Sequence, residues 1–391
     1  MFMPVLIVLF VKSRRPRKRK MITIKRLRFL IWTVLGSATA ITAAETNTAP
    51  EYIILPGLFR APETGFGGGL GLFILSPPAD GQQGSKGNAI KIGSIYTEKK
   101  QFVIRGLSES FVNAHRDHLS VSGNAQKYPN SFFGIGNNTR VADEEKYTSY
   151  EWDIQLRYLH EFSSAFYFGG QGAISNERIT HLKAQGQLEQ KIDQNGRAIN
   201  GTEPVNLAGL GFIGRWDTRD DLQDPDRGMF VESGFLSRTK EFGSNYDFSS
   251  MNLDARGFVP LSISKRPIRI AWQAVATSHD GQPAFQALAS LGGRDLLRGY
   301  FLGRFRDRKL FVLQTELRMP ISEKWGVVAY GGAGNVARDW QNLTARTIKP
   351  AWGFGGRYRI SNAQKVNLRL DLAWGRETPN PSVYLSLAEA F

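Results

Sequence analysis

Polar and apolar residues alternate along most of the chain after Glu45, in segments of roughly ten residues that Gly, Pro, Asn and Asp clusters separate. The clearest segment is 365–372 (KVNLRLDL), in which four polar residues fall on one face and four aliphatic residues on the other. The segments 150–158 and 311–319 repeat this pattern. Successive side chains of a strand point to opposite faces, so the pattern predicts β-strands with one polar and one apolar face.

The alternating segments predict sixteen strands, an even number of the kind that bacterial single-chain barrels have. We place them at 51–59, 65–75, 88–97, 101–112, 117–127, 148–161, 164–175, 204–217, 227–239, 246–260, 267–278, 308–319, 325–336, 350–360, 364–374 and 382–391. If the first strand starts from the periplasm, the longest connections all lie outside the cell, at 128–147, 176–203, 279–307 and 337–349. This division into short and long connections is typical of outer-membrane barrels.

Alternation alone leaves open whether the apolar faces meet a soluble core or lipid. Aromatic residues near strand ends favour lipid, since they predict an interfacial girdle that comprises Trp216, Trp272, Trp325, Trp352 and Trp374. Phe391 is in phase with the apolar residues of the last predicted strand and resembles the C-terminal targeting signal of outer-membrane barrels, from which Glu389 in the same phase departs. We therefore expect an all-β fold, a sixteen-stranded antiparallel transmembrane barrel.

The net charge of +15 comes mostly from the N-terminus, because residues 1–44 hold ten Lys and Arg and no acid. This region reads as an export signal, in which a basic stretch and the apolar run 29–36 precede small residues that end at Ala44. We expect translation to start at Met21, residues 1–44 to be an extension and signal peptide, and residues 45–391 to form the barrel. A genuine basic anchor is the alternative, and no nucleic-acid partner is expected.

Enzyme and cofactor signatures are weak in this sequence. The absence of cysteine excludes a disulfide scaffold and thiolate metal sites. His115 and His118 flank Asp117 in a short turn and do not form a metal-binding pattern, and the chain has no GxSxG elbow. The acidic run 217–226 lacks the Gly and closing Glu of a calcium loop, so we interpret it as a charged periplasmic turn. We expect a non-enzymatic protein with no metal and no cofactor.

Three stretches together resemble the BamA/TamA-type family of bacterial surface antigen barrels. PETGFGGGLGL (62–72) is similar to the opening turn of members that start with the barrel, and 291–320 contains an RGY motif followed by ELRMP. WDTRDDLQDPDRGMFVESG (216–234) resembles the family's periplasmic hairpin. The motif residues in this chain are Arg298, Gly299 and Tyr300 of the loop, Glu316 of the next strand, and Asp217, Arg219, Asp220, Arg227 and Gly228 of the hairpin.

The resemblance implies that loop 279–307 folds into the lumen and that Arg298 pairs there with acids of the barrel wall. Glu316 is the partner we expect, because it lies on the polar face of its strand. The family often has a second acid in an FxDxG pattern of the following strand, where this chain has Gly332. The second acidic partner of Arg298 is therefore left open, as is a purely stabilising role for Arg298 and Glu316.

The resemblance also implies a function, namely assistance to the insertion or translocation of protein or lipid through a weak seam between strands 51–59 and 382–391. We expect no POTRA module between Glu45 and the first strand, so a passive pore or structural barrel is the alternative. The expected location is the outer membrane, with its lipid and lipopolysaccharide as partners, and unfolded protein cargo or a periplasmic protein as possible further partners. The basic run 306–309 either meets lipopolysaccharide phosphates or forms a solvated loop.

Overall fold

A computed structural model describes residues 50–76, 88–113, 116–261, 268–361, 365–377 and 380–391. The strands within these ranges are β1 (Glu51–Ala61), β2 (Gly65–Leu75), β3 (Ala89–Thr97), β4 (Phe102–Val112), β5 (Asp117–Phe132), β6 (Glu145–Ser163), β7 (Phe166–Thr180), β8 (Val205–Asp217), β9 (Gly228–Arg238), β10 (Phe248–Leu261), β11 (Ile268–Gly281), β12 (Ala289–Leu291), β13 (Phe305–Asp307), β14 (Lys309–Pro320), β15 (Trp325–Ala337), β16 (Lys349–Ser361), β17 (Val366–Gly375) and β18 (Ser382–Leu387). The predicted export signal lies outside the described residues.

Within the described ranges, helical structure is confined to short turns in the connections. The described residues form one α-helical turn, α1 (Gln187–Gln190), and 3-10 turns at Val141–Asp143, Lys240–Phe242, Phe285–Ala287, Trp340–Asn342 and Ala345–Thr347. No helix in this part of the chain is long and apolar enough to cross a membrane.

Sixteen of the described strands close into a single antiparallel barrel, in which neighbours along the chain pair and β18 returns to β1. The other two, β12 and β13, pair with each other in the connection between β11 and β14. The predicted barrel of sixteen antiparallel strands is confirmed.

The barrel buries its polar rows and exposes its apolar rows. In β14, the side chains of Gln314, Glu316 and Arg318 are buried, whereas Phe311 and Leu313 are 44% and 48% exposed. A soluble sandwich has the opposite arrangement, while lipid covers such an apolar surface in a membrane barrel. The polar rows therefore face the interior of the barrel, and we call them inward-facing below.

The predicted last strand is too long, because β18 ends at Leu387 rather than at residue 391. Ala388 adopts the left-handed conformation (φ +61°), which turns the chain away from the sheet. The Phe391 side chain is buried with Phe258 and Ala271, two inward-facing residues of β10 and β11. Phe391 thus does not lie on a lipid-facing strand end.

Connections on the side where β5 ends and β6 begins pack into a cap with its own apolar core. Phe132 and Tyr147 from these strand ends contact Leu188 of α1 and Phe285 of the connection after β11. The Glu145 carboxylate accepts the backbone N–H of Gln187 (2.6 Å), which fixes the first turn of α1 to β6.

Candidate functional site

The loop motif and the barrel wall meet at a buried ion-pair cluster. Arg298 donates through Nη2 to Glu316, and through Nη1 to the Asp371 carboxylate of β17 at 2.5 Å. Its guanidinium also lies 3.6 Å from the centre of the Tyr330 ring. The structure thus places the expected partner Glu316 beside Arg298. A guanidinium with two carboxylates and an aromatic face is strongly held.

The second acid is Asp371, and sequence reasoning missed it by looking at Gly332 of β15. A Cβ at Gly332 would lie 2.7 Å from the Gln314 Cβ, so a side chain has no room there. The polar row of β17 carried the signal that could have found Asp371, because that row predicts an inward-facing carboxylate.

The other two motif residues fix the backbone around Arg298. Gly299 has a φ of +110°, and a Cβ there would lie 2.6 Å from the carbonyl carbon of Trp374, so glycine is needed for this close approach. The Tyr300 hydroxyl donates to the Pro350 carbonyl (2.8 Å) and accepts the Arg376 N–H (2.9 Å). Glycine and tyrosine therefore position the arginine between its two acids.

Charges in the loop are balanced by their surroundings. Burial lowers the pKa of the Arg298 guanidinium, but the carboxylates of Glu316 and Asp371 outweigh it and raise that pKa overall. Burial raises the pKa of Asp295, yet the cations Arg294 and Arg369 outweigh it and hold that pKa below its usual range. The Arg298 guanidinium and the Asp295 carboxylate of the loop therefore stay charged in these contacts.

The predicted hairpin motif folds largely on itself between β8 and β9. The Asp217 carboxylate accepts from Arg219 Nε (2.9 Å) and Nη2 (2.7 Å). Asp220 accepts the backbone N–H groups of Asp226 (2.9 Å) and Arg227 (3.3 Å), and the Arg227 side chain is exposed. Gly228 has a φ of +105° and leaves no space for a Cβ beside the Thr218 carbonyl. These motif residues shape a turn, and the structure does not bring them to Arg298.

Asp224 is the hairpin residue that reaches the barrel wall, and sequence reasoning did not single it out. Its buried carboxylate accepts from Arg269 Nη1 of β11 (2.8 Å) and Arg359 Nη2 of β16 (2.7 Å), and it lies 3.7 Å from Arg318 Nη1 of β14. The run is therefore more than the charged periplasmic turn that the sequence predicted, because Asp224 is buried against arginines of the barrel wall. Five aspartates in one run gave no sequence signal to distinguish the buried one.

Two arginines link the cluster to the residues that follow β18. Arg357 of β16 donates to Asp371 (2.6 Å) and, through Nε, to Glu389 (2.8 Å). Arg318 donates to Glu316 (2.8 Å) and to the backbone oxygen of Phe391 (2.9 Å). Each acid that holds Arg298 therefore shares an arginine with the segment 388–391, which we call the tail.

The seam between β1 and β18 is paired less than the other strand pairs of the described barrel. β1 pairs with β2 along its whole length, from Glu51 to Ala61. Its register with β18 comprises the pair Arg60 and Leu385. Arg60 Nη1 also reaches the Val383 carbonyl at 3.4 Å.

The basic run 306–309 is not the solvated loop that one of our expectations described. Arg306 and Lys309 are buried, and the Arg306 guanidinium lies 5.4 Å from the Phe132 ring centre and 5.7 Å from that of Phe285. Among the described residues, no group of three or more His, Asp or Glu is placed to hold a metal ion.

Comparisons with known proteins agree with this architecture. The family model of the Omp85 superfamily domain matches residues 86–386. The chain belongs to the Omp85 superfamily. No curated protein is found to match it.

Solved structures with a similar fold include BamA and CdiB barrels. BamA from Haemophilus ducreyi lacking POTRA domains 1–3 is 12% identical, with a TM-score of 0.59 over 88% of this chain and 70% of that chain. CdiB from Acinetobacter baumannii is 12% identical (TM-score 0.56, 88% and 60%), and CdiB from Escherichia coli is 12% identical (0.54, 87% and 63%). The chain thus spans less than two thirds of either CdiB. Family and fold indicate an outer-membrane location and a general role in insertion or translocation.

Proposed function

We propose that this Omp85 barrel assists the insertion or translocation of protein at the outer membrane through the seam between β1 and β18. The observation that carries the proposal is the short register of that seam, the pair Arg60 and Leu385. Unpaired backbone groups are costly in hydrocarbon, and an exposed strand edge templates the pairing of another strand. An unfolded cargo strand that pairs with β1 removes this cost.

We further propose that the loop between β11 and β14 occupies the lumen and acts as its plug. Support comes from the contacts of Arg298 with Glu316 and Asp371, both on inward-facing rows. Leu297 and Tyr300 are buried in one cluster with Val312 of β14, on the same side of the strand as Glu316. A plugged lumen directs cargo to the seam rather than through an open pore.

The partners in this proposal follow from the surfaces of the barrel. Membrane lipid covers the exposed apolar rows, and unfolded protein is the cargo that pairs with the β1 edge. Lipopolysaccharide and a periplasmic protein are further partners in this proposal. Arg306 and Lys309 are buried, so these two residues give no support for lipopolysaccharide binding.

Reconstitution tests the proposal directly. The protein in liposomes is offered an urea-denatured eight-stranded barrel, and cargo folding is followed by protease protection and by migration on unheated gels. We expect faster cargo folding than in liposomes that contain an equal amount of a passive sixteen-stranded porin. Equal rates in both would contradict an insertase.

A passive barrel is the second candidate, and one observation favours it. Five inward-facing charged side chains of β6 to β10 keep 20–29% of their surface exposed, namely Arg157, Glu232, Arg215, Asp254 and Arg256. This part of the interior is thus not packed by the loop, and an aqueous path along it would conduct ions.

A further inference from the structure

The Glu389 side chain would point to lipid if β18 continued as a strand to the end of the chain. In β18, Val383, Leu385 and Leu387 alternate with the inward-facing Tyr384 and Ser386, so an extended residue 389 would face lipid. A carboxylate there is unfavourable. The left-handed Ala388 instead turns the chain inward.

Inside the barrel, Glu389 finds two donors. Its Oε2 accepts from Arg357 Nε at 2.8 Å and its Oε1 accepts from Asn367 Nδ2 at 2.7 Å, and all three side chains are buried. Burial would raise the pKa of Glu389, but Arg357 and Arg318 outweigh it and hold that pKa below its usual range. The carboxylate therefore stays ionised, and returning it to lipid would break a charge-assisted contact.

The tail has two alternative positions, either extended beside the edge of β1 or folded into the barrel. If the register of Arg60 with Leu385 is continued, Leu55 comes opposite Ala390, and both are inward-facing in an extended strand. In the structure the tail instead packs beside Phe258 of β10 and Ala271 of β11, two strands that do not border the seam. The first half of β1 is left without a partner from β18.

We propose that Glu389 is a positioning residue that holds the tail inside the barrel and so keeps the edge of β1 open. This deepens the proposed function, because an open edge matters only if cargo pairs with it. Arg357 binds both Glu389 and Asp371, so the same cation also supports the contact of Arg298. The tail and the RGY loop are thereby joined through Arg357 and Asp371.

Disulfide trapping tests the proposal in a chain that has no cysteine of its own. Leu55→Cys/Ala390→Cys reports an extended tail, since paired residues on neighbouring strands lie within disulfide reach. Arg60→Cys/Leu385→Cys reports the existing register and serves as the positive control. Both pairs are built into the full chain and oxidised in isolated outer membranes, with folding checked by migration on unheated gels.

Glu389→Leu is the variant that should release the tail, with Glu389→Gln as a milder second variant. Losing one charge-assisted hydrogen bond changes the ratio of extended to inward tail by about tenfold or more. We therefore expect the 55–390 crosslink to rise about tenfold in Glu389→Leu and less in Glu389→Gln, with the 60–385 crosslink unchanged. Glu323→Leu, at an exposed position of the turn between β14 and β15, is the matched control and should change neither.

Two results would overturn the proposal. One is equal 55–390 crosslinking in the parent and in both Glu389 variants, and the other is full crosslinking in the parent. Because the assay measures strand position and not cargo folding, it separates failure of this inference from failure of the proposed function.

Discussion

Arg298 binds two carboxylates that have no access to solvent, so its removal affects more than one contact. The side chains of Arg298, Glu316 and Asp371 are all almost fully buried. Breaking a buried ion pair by removing one partner is far more damaging than losing a surface pair, because the remaining charges stay buried. The loop motif therefore has a stabilising role that holds whatever the barrel transports.

Arg298→Ala should lower the free energy of unfolding by about 3–5 kcal/mol. The measurement is the urea midpoint of tryptophan fluorescence in lipid vesicles. Arg308→Ala is the matched control, because Arg308 and Asp339 form a more exposed pair, and it should cost less than about 1 kcal/mol. Equal shifts in the two variants would contradict the buried cluster.

Sequence reasoning reached some of these residues and missed others for a physical reason. Arg298 and Glu316 were found from a motif, and the inward phase of Asp371 was visible in the alternation of its strand. The contacts across the barrel, Asp224 with Arg359 and Glu389 with Arg357, join residues that are far apart in the chain. Only the closed barrel brings them together, so no local pattern indicates them.

Strands are the elements that sequence predicts best here, since the membrane imposes a period of two on every spanning segment. The predicted strand ends are wrong where this period of two no longer constrains the sequence. β5 continues to Phe132, beyond the predicted 127, because residues 128–132 still pair with residues 145–149 of β6 although Pro129 lies among them. β18 ends early because Ala388 turns the chain inward.

The hairpin between β8 and β9 contacts β11 and β16 through Asp224. Asp224→Asn should lower the free energy of unfolding by roughly 3 kcal/mol, because Arg269 and Arg359 lose their buried partner. It should also speed tryptic cleavage at the exposed Arg227. Asp226→Asn, in the same hairpin but half-exposed, is the control and should change both much less. Indistinguishable cleavage rates would mean that Asp224 does not anchor the hairpin.

The whole molecule combines a closed barrel, a loop held by buried ions and a seam that is nearly unpaired. These parts predict different electrical behaviour from that of an open pore. In planar bilayers, the wild-type protein should give small, flickering conductance, and Arg298→Ala should give a larger one because the loop loses its anchor. Large, steady conductance that the substitution leaves unchanged would favour the passive barrel.

Locking the seam between β1 and β18 tests most directly whether cargo uses it. Arg60→Cys/Leu385→Cys in liposomes is oxidised to join β1 to β18 and is then reduced, with each single-cysteine variant as a control. We predict that oxidation stops assisted folding of the denatured eight-stranded barrel and that reduction restores it. Undiminished assistance by the oxidised, fully crosslinked protein would contradict the claim.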